Sequence, residues 1–334
     1  MLMEWIEALT LGVVQGVTEF LPVSSDGHLL VFQQLFAWLT GSGRSGAENL
    51  FFDIMLHLGT TCAILYHYRG PVRLGIRGLL TDDPEVGPDF RRPMVARVLG
   101  LALVATLPLV PFALFLKDWV DGLFESQVAA PIGFLISAAA LALVSLKTRG
   151  PDGHGRGPSE TTWLDALVIG SAQMLAPLPG VSRSGTTIVA ALLLGLSRVW
   201  AVRFSLMIAV PAVLGAVAHE MKGAIEDPSR LGLTPERVAQ TLVATVLAGM
   251  VGYVAILWLI RVVRSGKLWY FSVYLVGLAV LVLALVTAKG GGSDGSGSPN
   301  ALDGPAWRSG ADVPAASGPL APGDDLDRPD APRP

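Results

Sequence analysis

Six long apolar stretches restrict the kinds of fold that this chain can adopt. They lie near residues 50–68, 95–116, 128–147, 200–219, 238–260 and 270–288. Each one approaches the roughly 20 apolar residues that an α-helix needs to cross a lipid bilayer. Charged residues make up only 15% of the chain, against about a quarter in soluble domains. The sequence therefore predicts an all-α polytopic membrane protein with six transmembrane helices.

Two further apolar stretches, 5–39 and 162–197, are interrupted by polar residues. The first is broken at LPVSSDGH, residues 21–28, and the second at LPGVSRSGT, residues 178–186; we call these segments the first and the second elbow. Non-helical backbone at membrane depth is stable only where protein or cavity water satisfies its N–H and C=O groups. We therefore expect two re-entrant hairpins, each made of two short helices joined by an elbow.

Lysine and arginine are distributed unevenly between the two sides of this topology. The second side receives only Lys117, Lys222, Arg230 and Arg237. The first side receives the other fourteen that the topology assigns: Arg69, Arg73, Arg77, Arg91, Arg92, Arg97, Lys147, Arg149, Arg156, Arg198, Arg203, Arg261, Arg264 and Lys267. The positive-inside rule places the first side in the cytoplasm and both termini outside. The membrane domain covers 1–288, and the Gly-, Pro- and Asp-rich segment 289–334 predicts a disordered tail. No basic run indicates a nucleic-acid partner.

The two broken stretches also resemble each other. Each has a leucine-proline entry, a serine-rich elbow and an apolar exit, and each is followed by a similar crossing, FDIMLHLGTT from Phe52 and FSLMIAVPAV from Phe204. In the predicted topology the two elbows enter from opposite sides. This pattern predicts an inverted repeat whose elbows meet near the bilayer midplane.

The first elbow follows a pair of polar residues. Gln15 and Glu19 are four residues apart and share one helical face. After Pro22, either Ser24 or Ser25 can cap the next helix and leave its first backbone N–H groups open. An ionisable group near the bilayer centre is functional or paired by default.

The second elbow offers the groups that bind phosphate. Ser182, Arg183 and Ser184, followed by Thr187, stand where a new helix begins. A helix N-terminus with free N–H groups, hydroxyls and a planar guanidinium suits an anion, above all a phosphate. The alternative at this point is that Glu19 and Arg183 form only a buried ion pair that ties the hairpins together.

Two motifs resemble the signatures of a known family. VVQGVTEFLPVSSDGHL and PGVSRSGTTI are similar to the motifs of the undecaprenyl-diphosphate phosphatases of the bacitracin-resistance (BacA) type. The resemblance spans about 5–288. It implies hydrolysis of undecaprenyl diphosphate to the monophosphate and phosphate in the bacterial plasma membrane, which recycles the lipid carrier of peptidoglycan synthesis and gives bacitracin resistance. It also implies six spans with two re-entrant hairpins, a site facing the outer side, and a divalent cation, Mg²⁺ or Ca²⁺.

The resemblance also implies roles for individual residues. The catalytic set is Glu19, Ser25 as nucleophile, His28 as acid or base, and Arg183; the substrate-binding set is Gln15, Ser24, Ser182, Ser184 and Thr187. Glu19 is also the expected metal ligand. Direct attack by water activated by Glu19 remains the alternative to attack by Ser25.

Several residues depart from the pattern or leave alternatives open. Gln15 stands where many members have glutamate. Asp26 replaces a small hydroxyl residue, and we expect it to cap the helix rather than to compensate for Gln15 as a metal or proton ligand. Arg203 stands where an acidic residue is expected. Asp53 and His57 share a helical face next to the first elbow, and we expect a satisfied buried pair rather than a catalytic one.

The same features permit a second class of function. Broken helices in an inverted repeat are also typical of secondary transporters, so a polyprenyl-phosphate flippase or transporter is the alternative to the enzyme. Small residues such as Gly249 and Gly252 in the fifth span would permit close helix contact, as in a homodimer.

Overall fold

A computed structural model describes residues 2–41, 46–81, 86–124, 126–148, 155–226 and 234–290. Helices account for nearly all of the ordered elements in these ranges. In chain order they are α1 (Leu2–Thr18), α2 (Ser25–Thr40), α3 (Gly46–His67), α4 (Arg69–Leu80), α5 (Arg92–Thr106), α6 (Leu109–Phe115), α7 (Lys117–Phe124), α8 (Ala129–Lys147), α9 (Trp163–Gln173), α10 (Arg183–Leu193), α11 (Arg198–Glu226), α12 (Pro235–Arg264) and α13 (Trp269–Gly290), with a short 3-10 turn at Pro88–Phe90.

Five segments in the described ranges are long and apolar enough to cross a membrane. They are Arg92–Phe112, Ala129–Lys147, Arg198–Ala218, Pro235–Arg264 and Trp269–Ala288, and each matches a predicted crossing. The remaining predicted crossing, 50–68, falls on α3, a continuous helix of 22 residues. The prediction of an all-α polytopic membrane protein is confirmed.

Both broken stretches fold as pairs of helices joined by their elbows. In the first, α1 packs against α2, and in the second, α9 packs against α10. The first helix of each pair also packs outside its own half of the chain, because α1 lies against α12 and α9 lies against α5. This reciprocal exchange of partners is the packing that two interlocked repeats would give.

Small residues allow the first hairpin to approach its neighbours closely. A Cβ on Gly12 would lie 2.8 Å from the Ala244 carbonyl oxygen, and one on Gly16 would lie 2.7 Å from that of Ala248. Gly249 and Gly252 are used in the same way, because they face α3 and the ring of Phe20 within the chain. The close helix contact that the sequence predicted for Gly249 and Gly252 is therefore made within the chain.

Some features of the fold were not predicted. The segments α4 and α7 are short additional helices in the connections before α5 and α8. Helix α13 continues to Gly290, two residues beyond the predicted domain end. The predicted disordered tail otherwise lies outside the described residues.

Candidate active site

The two elbows are in direct contact inside the helical bundle. The hydroxyl of Ser184, at the start of α10, donates a hydrogen bond of 3.0 Å to the carbonyl oxygen of Leu21 in the first elbow. On the other side, a Cβ added to Gly27 would lie only 2.9 Å from the Cα of Gly180. The structure therefore brings together the two polar segments that lie far apart in the sequence.

Glu19 is the centre of the polar contacts between the elbows. Its side chain is 3% exposed and accepts hydrogen bonds from Gln15 Nε2 at 2.9 Å and from Ser25 Oγ at 2.8 Å, both at Oε2. Its other oxygen, Oε1, forms an ion pair with the guanidinium of Arg183. Four of the predicted residues thus form one connected group. Of these, Gln15 keeps a buried Oε1 without a hydrogen-bond partner among the described residues.

Two helices begin at this group with open backbone donors. Ser24 caps α2 by accepting from the Gly27 N–H at 3.3 Å, and Ser182 caps α10 by accepting from the Gly185 N–H at 3.0 Å. The cap position at Ser24 has a φ of 69°, a left-handed conformation that is uncommon outside glycine. Because each cap satisfies only one N–H among the residues described, the first N–H groups of both helices are available to an anion.

Helix α8 supports the backbone of the second elbow. Ser137 Oγ accepts from the Ser182 N–H at 3.0 Å and donates to the Gly180 carbonyl at 3.3 Å. Gly133 lets the helix come close enough, since a Cβ there would lie 2.0 Å from the Pro179 carbonyl oxygen. Sequence reasoning missed this support, because nothing in the apolar pattern of α8 marks these two residues.

His28 is engaged on both ring nitrogens. Its Nδ1 lies 2.7 Å from the Ser24 carbonyl oxygen, and its Nε2 lies 2.7 Å from the hydroxyl of Tyr274 on α13. The two rings stack with centroids 5.7 Å apart. The carbonyl can only accept, so Nδ1 carries a proton and the Tyr274 hydroxyl donates to Nε2 when the ring is neutral. The acid–base role implied by the resemblance stays a prediction, and it would require this second contact to open.

The remaining predicted binding residues differ in what they contact. The hydroxyls of Ser182 and Ser184 lie 3.2 Å apart at the start of α10. Thr187 lies one turn further along and is 2.6 Å from the hydroxyl of Ser205 on α11. Its hydroxyl also bonds to the Arg183 carbonyl. Thr187 therefore links α10 to α11.

The structure corrects the prediction for Asp26. Ser24, and not Asp26, is the N-cap of α2. Asp26 Oδ1 instead lies 3.5 Å from His57 Nε2, and the Asp26 side chain is 40% exposed. Asp26 therefore borders the site through its contact with His57.

His57 borders the first elbow, as predicted, but it contacts Asp53 at the backbone carbonyl and not as the expected side-chain pair. Its Nε2 is also 3.4 Å from Glu19 Oε2, and its Nδ1 is 2.7 Å from the carbonyl oxygen of Asp53. The Asp53 carboxylate accepts from Gln33 Nε2 at 3.0 Å. Arg203, the other departure from the pattern, is exposed on α11.

A divalent cation finds no dedicated set of protein ligands in the described part of the chain. No group of three or more His, Cys, Asp or Glu side chains is placed around a common metal position there. Both oxygens of Glu19 already accept from Arg183, Gln15 or Ser25. Mg²⁺ and Ca²⁺ require several oxygen ligands, and Glu19 as one of them stays a prediction.

An ion pair closes the second hairpin at its far end. Arg156 donates to both carboxylate oxygens of Asp165, at 2.8 and 2.9 Å, and to the Leu194 carbonyl at 2.7 Å. Asp165 also accepts from the Thr162 N–H in a capping box. The hydrogen bonds from Arg156 lower the pKa of Asp165 to about 2. The start of α9 and the end of α10 are thereby held together.

Comparison with known proteins identifies relatives over most of the chain. The family described as bacitracin resistance protein BacA matches residues 8–281. The chain is 37% identical over 296 residues to the undecaprenyl-diphosphatase of Desulfatibacillum aliphaticivorans, which covers 85% of this chain and 100% of that protein. It is 36% identical over 290 residues to the undecaprenyl-diphosphatase of Carboxydothermus hydrogenoformans, and the match covers 86% of this chain and 99% of that protein. It is 33% identical over 285 residues to undecaprenyl-diphosphatase 3 of Bacillus cereus, covering 85% and 98%. The family match includes both elbows.

Proposed function

The chain belongs to the family of the bacitracin resistance protein BacA, and from this membership we propose that it hydrolyses undecaprenyl diphosphate to undecaprenyl phosphate and inorganic phosphate. The reaction regenerates the lipid carrier of peptidoglycan synthesis in the bacterial membrane, and it accounts for the resistance to bacitracin in the family's name. Relatives that carry the name undecaprenyl-diphosphatase match about 85% of the chain, and the family match includes both elbows.

One observation carries the proposal from the structure. Ser25, at the open N-terminus of α2, donates a hydrogen bond of 2.8 Å to Glu19, whose other oxygen is paired with Arg183 at the N-terminus of α10. A hydroxyl bonded to a carboxylate is the arrangement of an activated nucleophile. The guanidinium and the open N–H groups supply the positive charge that phosphoryl transfer needs.

The first step uses Ser25 and Glu19. The Ser25 O–H bond breaks and its proton passes to Glu19 Oε2, while the serine oxygen forms a bond to the terminal phosphorus. The bond from that phosphorus to the bridging oxygen breaks, and undecaprenyl phosphate leaves with the electron pair. Arg183 turns from Glu19 to the phosphate oxygens and stabilises the charge that develops there.

The second step returns both residues to their starting state. Water attacks the phosphoserine phosphorus, and the serine oxygen leaves with the electron pair. That oxygen takes the proton back from Glu19, and inorganic phosphate leaves with both protons of the water. Gln15 Oε1, which is buried and without a partner among the described residues, is available to accept a hydrogen bond from this water.

The nucleophile can be tested directly. Rapid acid quench of the enzyme with terminally labelled undecaprenyl diphosphate is expected to trap phosphate on Ser25, and Ser25→Ala is expected to lose activity. Full activity of Ser25→Ala would instead assign the attack to a water activated by Glu19.

The cation, the orientation and the oligomeric state complete the proposal. Mg²⁺ or Ca²⁺ would enter with the diphosphate, whose own oxygens are hard ligands. The distribution of lysine and arginine supports a site open to the outer side, with both termini outside.

A homodimer has no support from the glycines that suggested it, because these pack within the chain. A transporter is not proposed, because the relatives are named for a diphosphatase.

A further inference from the structure

We propose that His57 is a positioning residue of this reaction: it holds Glu19 as its ionic partner when Arg183 turns to the diphosphate. The inference rests on the hydrolysis proposed above. His57 on α3 faces both Glu19, before the first elbow, and Asp26, in the first turn of α2.

A backbone contact determines which ring nitrogen of His57 faces the two carboxylates. Nδ1 lies 2.7 Å from the carbonyl oxygen of Asp53, which can only accept, so Nδ1 carries a hydrogen. Nε2 is then either a lone pair or a second N–H. It lies 3.4 Å from Glu19 Oε2 and 3.5 Å from Asp26 Oδ1. Two carboxylate oxygens would repel a lone pair, so this geometry needs a proton at Nε2.

The charges around the site show why a second cation is useful. Glu19 contacts one cation on each oxygen, with Arg183 at Oε1 and His57 at Oε2. In the proposed reaction Arg183 leaves Glu19 for the phosphate oxygens. Without another cation, Glu19 would then be a buried and unpaired carboxylate facing an anionic substrate, which is strongly unfavourable. His57 stays in place and keeps Glu19 ionised and oriented toward Ser25.

His28 does not offer this contact. Both of its ring nitrogens are used, by the Ser24 carbonyl and the Tyr274 hydroxyl. The charged groups that act on His57 are Glu19, which follows α1, Asp26 on α2 and Asp53 on its own helix. Arg183 on α10 pairs with Glu19 instead. His57 is thus the imidazole that shares the Oε2 atom of Glu19 with Ser25.

The test compares His57→Gln with wild type in phosphate release from undecaprenyl diphosphate, using the full chain in detergent. Glutamine keeps a donor but not the charge. We expect kcat to fall about ten- to a hundredfold, the effect of removing a hydrogen bond to a charged group, with KM changed by less than about threefold because no substrate contact is removed. His67→Gln is the matched control, since His67 ends the same helix and contacts Tyr68 and Tyr253 instead of the site.

The pH profile separates positioning from a loss of packing. Wild-type kcat is expected to decrease at alkaline pH as His57 loses its proton; we call this decrease the alkaline limb of the profile. His67→Gln is expected to show the same limb. His57→Gln should lack it. If His57→Gln does not fold, Asp26→Asn tests the same point, because removing one of the anions that hold the proton should move the limb to lower pH.

The outcomes distinguish this inference from the proposed function. No release from folded wild-type protein would refute the hydrolysis itself. Release by wild type, together with unchanged kcat and an unchanged alkaline limb in His57→Gln, would overturn the role of His57 alone. If only Asp26→Asn is measurable, an unmoved limb overturns it in the same way.

Discussion

Ser137 provides a sharp test of how the second elbow is held in a membrane interior. Its hydroxyl, on a side chain of α8, accepts from the Ser182 N–H and donates to the Gly180 carbonyl, and Ser137 is only 3% exposed. Ser137→Ala leaves one donor and one acceptor buried and unpaired. Each such group costs about 1–3 kcal/mol, so we expect a loss of about 2–6 kcal/mol in the free energy of unfolding. Because Ser182 caps the helix that begins with Arg183, phosphate release should fall as well.

The assay is thermal unfolding of the full chain in detergent, followed by tryptophan fluorescence. A loss of this size corresponds to a decrease in Tm of at least about 4 °C. Ser145→Ala is the matched control on the same helix, because within the described part of the chain the Ser145 hydroxyl bonds only to the Leu141 carbonyl one turn earlier. We expect this control to change stability by less than about 0.5 kcal/mol. Equal Tm values and equal activities for the two variants would refute the idea that Ser137 supports the elbow.

Three further predictions follow from the packing and the charges. Gly133→Ala should reduce both folded yield and phosphate release, because the added Cβ would lie 2.0 Å from a carbonyl oxygen of the second elbow. Gly277→Ala on α13 is the control and should match wild type, because a Cβ there would have no described atom within 4 Å. Asp165→Asn should lower Tm at pH 7, because it removes a carboxylate that is ion-paired in the folded protein. The pKa of Asp165 is lowered to about 2 from its ordinary value of 3.8, so the stabilisation is complete above 3.8 and is lost as the pH falls through about 2. Wild-type Tm should therefore show no change from this source between about pH 5 and 8. Tyr274→Phe removes the partner of His28 Nε2; we expect a loss of about 0.5–1.5 kcal/mol in stability, and unchanged Tm and activity would show that this contact is dispensable.

The main outline of the fold could be predicted because it depends on local patterns. Apolar length marks the crossings, and the interruptions at LPVSSDGH and LPGVSRSGT mark the elbows. The meeting of Glu19 and Arg183 could also be anticipated, because neither charge is stable alone in an apolar interior. These inferences rest on composition and spacing within single stretches.

The support around the site could not be predicted in this way. Ser137 and Tyr274 lie on distant crossings whose sequences carry no local signal, and their partners are set by how α8 and α13 pack against the elbows. Asp26 was misjudged for a related reason, because helix capping is a local rule, whereas its contact with His57 depends on the position of α3.

The central claim is that the two elbows together form a phosphatase site. The most direct measurement is phosphate release from undecaprenyl diphosphate by the purified protein, beside Arg183→Ala and Glu19→Gln, with and without Mg²⁺. We predict release by wild type, a decrease of about 10²–10³-fold or more in each variant, and weaker lipid binding only in Arg183→Ala. Wild-type protein that is folded and binds the lipid but releases no phosphate would contradict the claim.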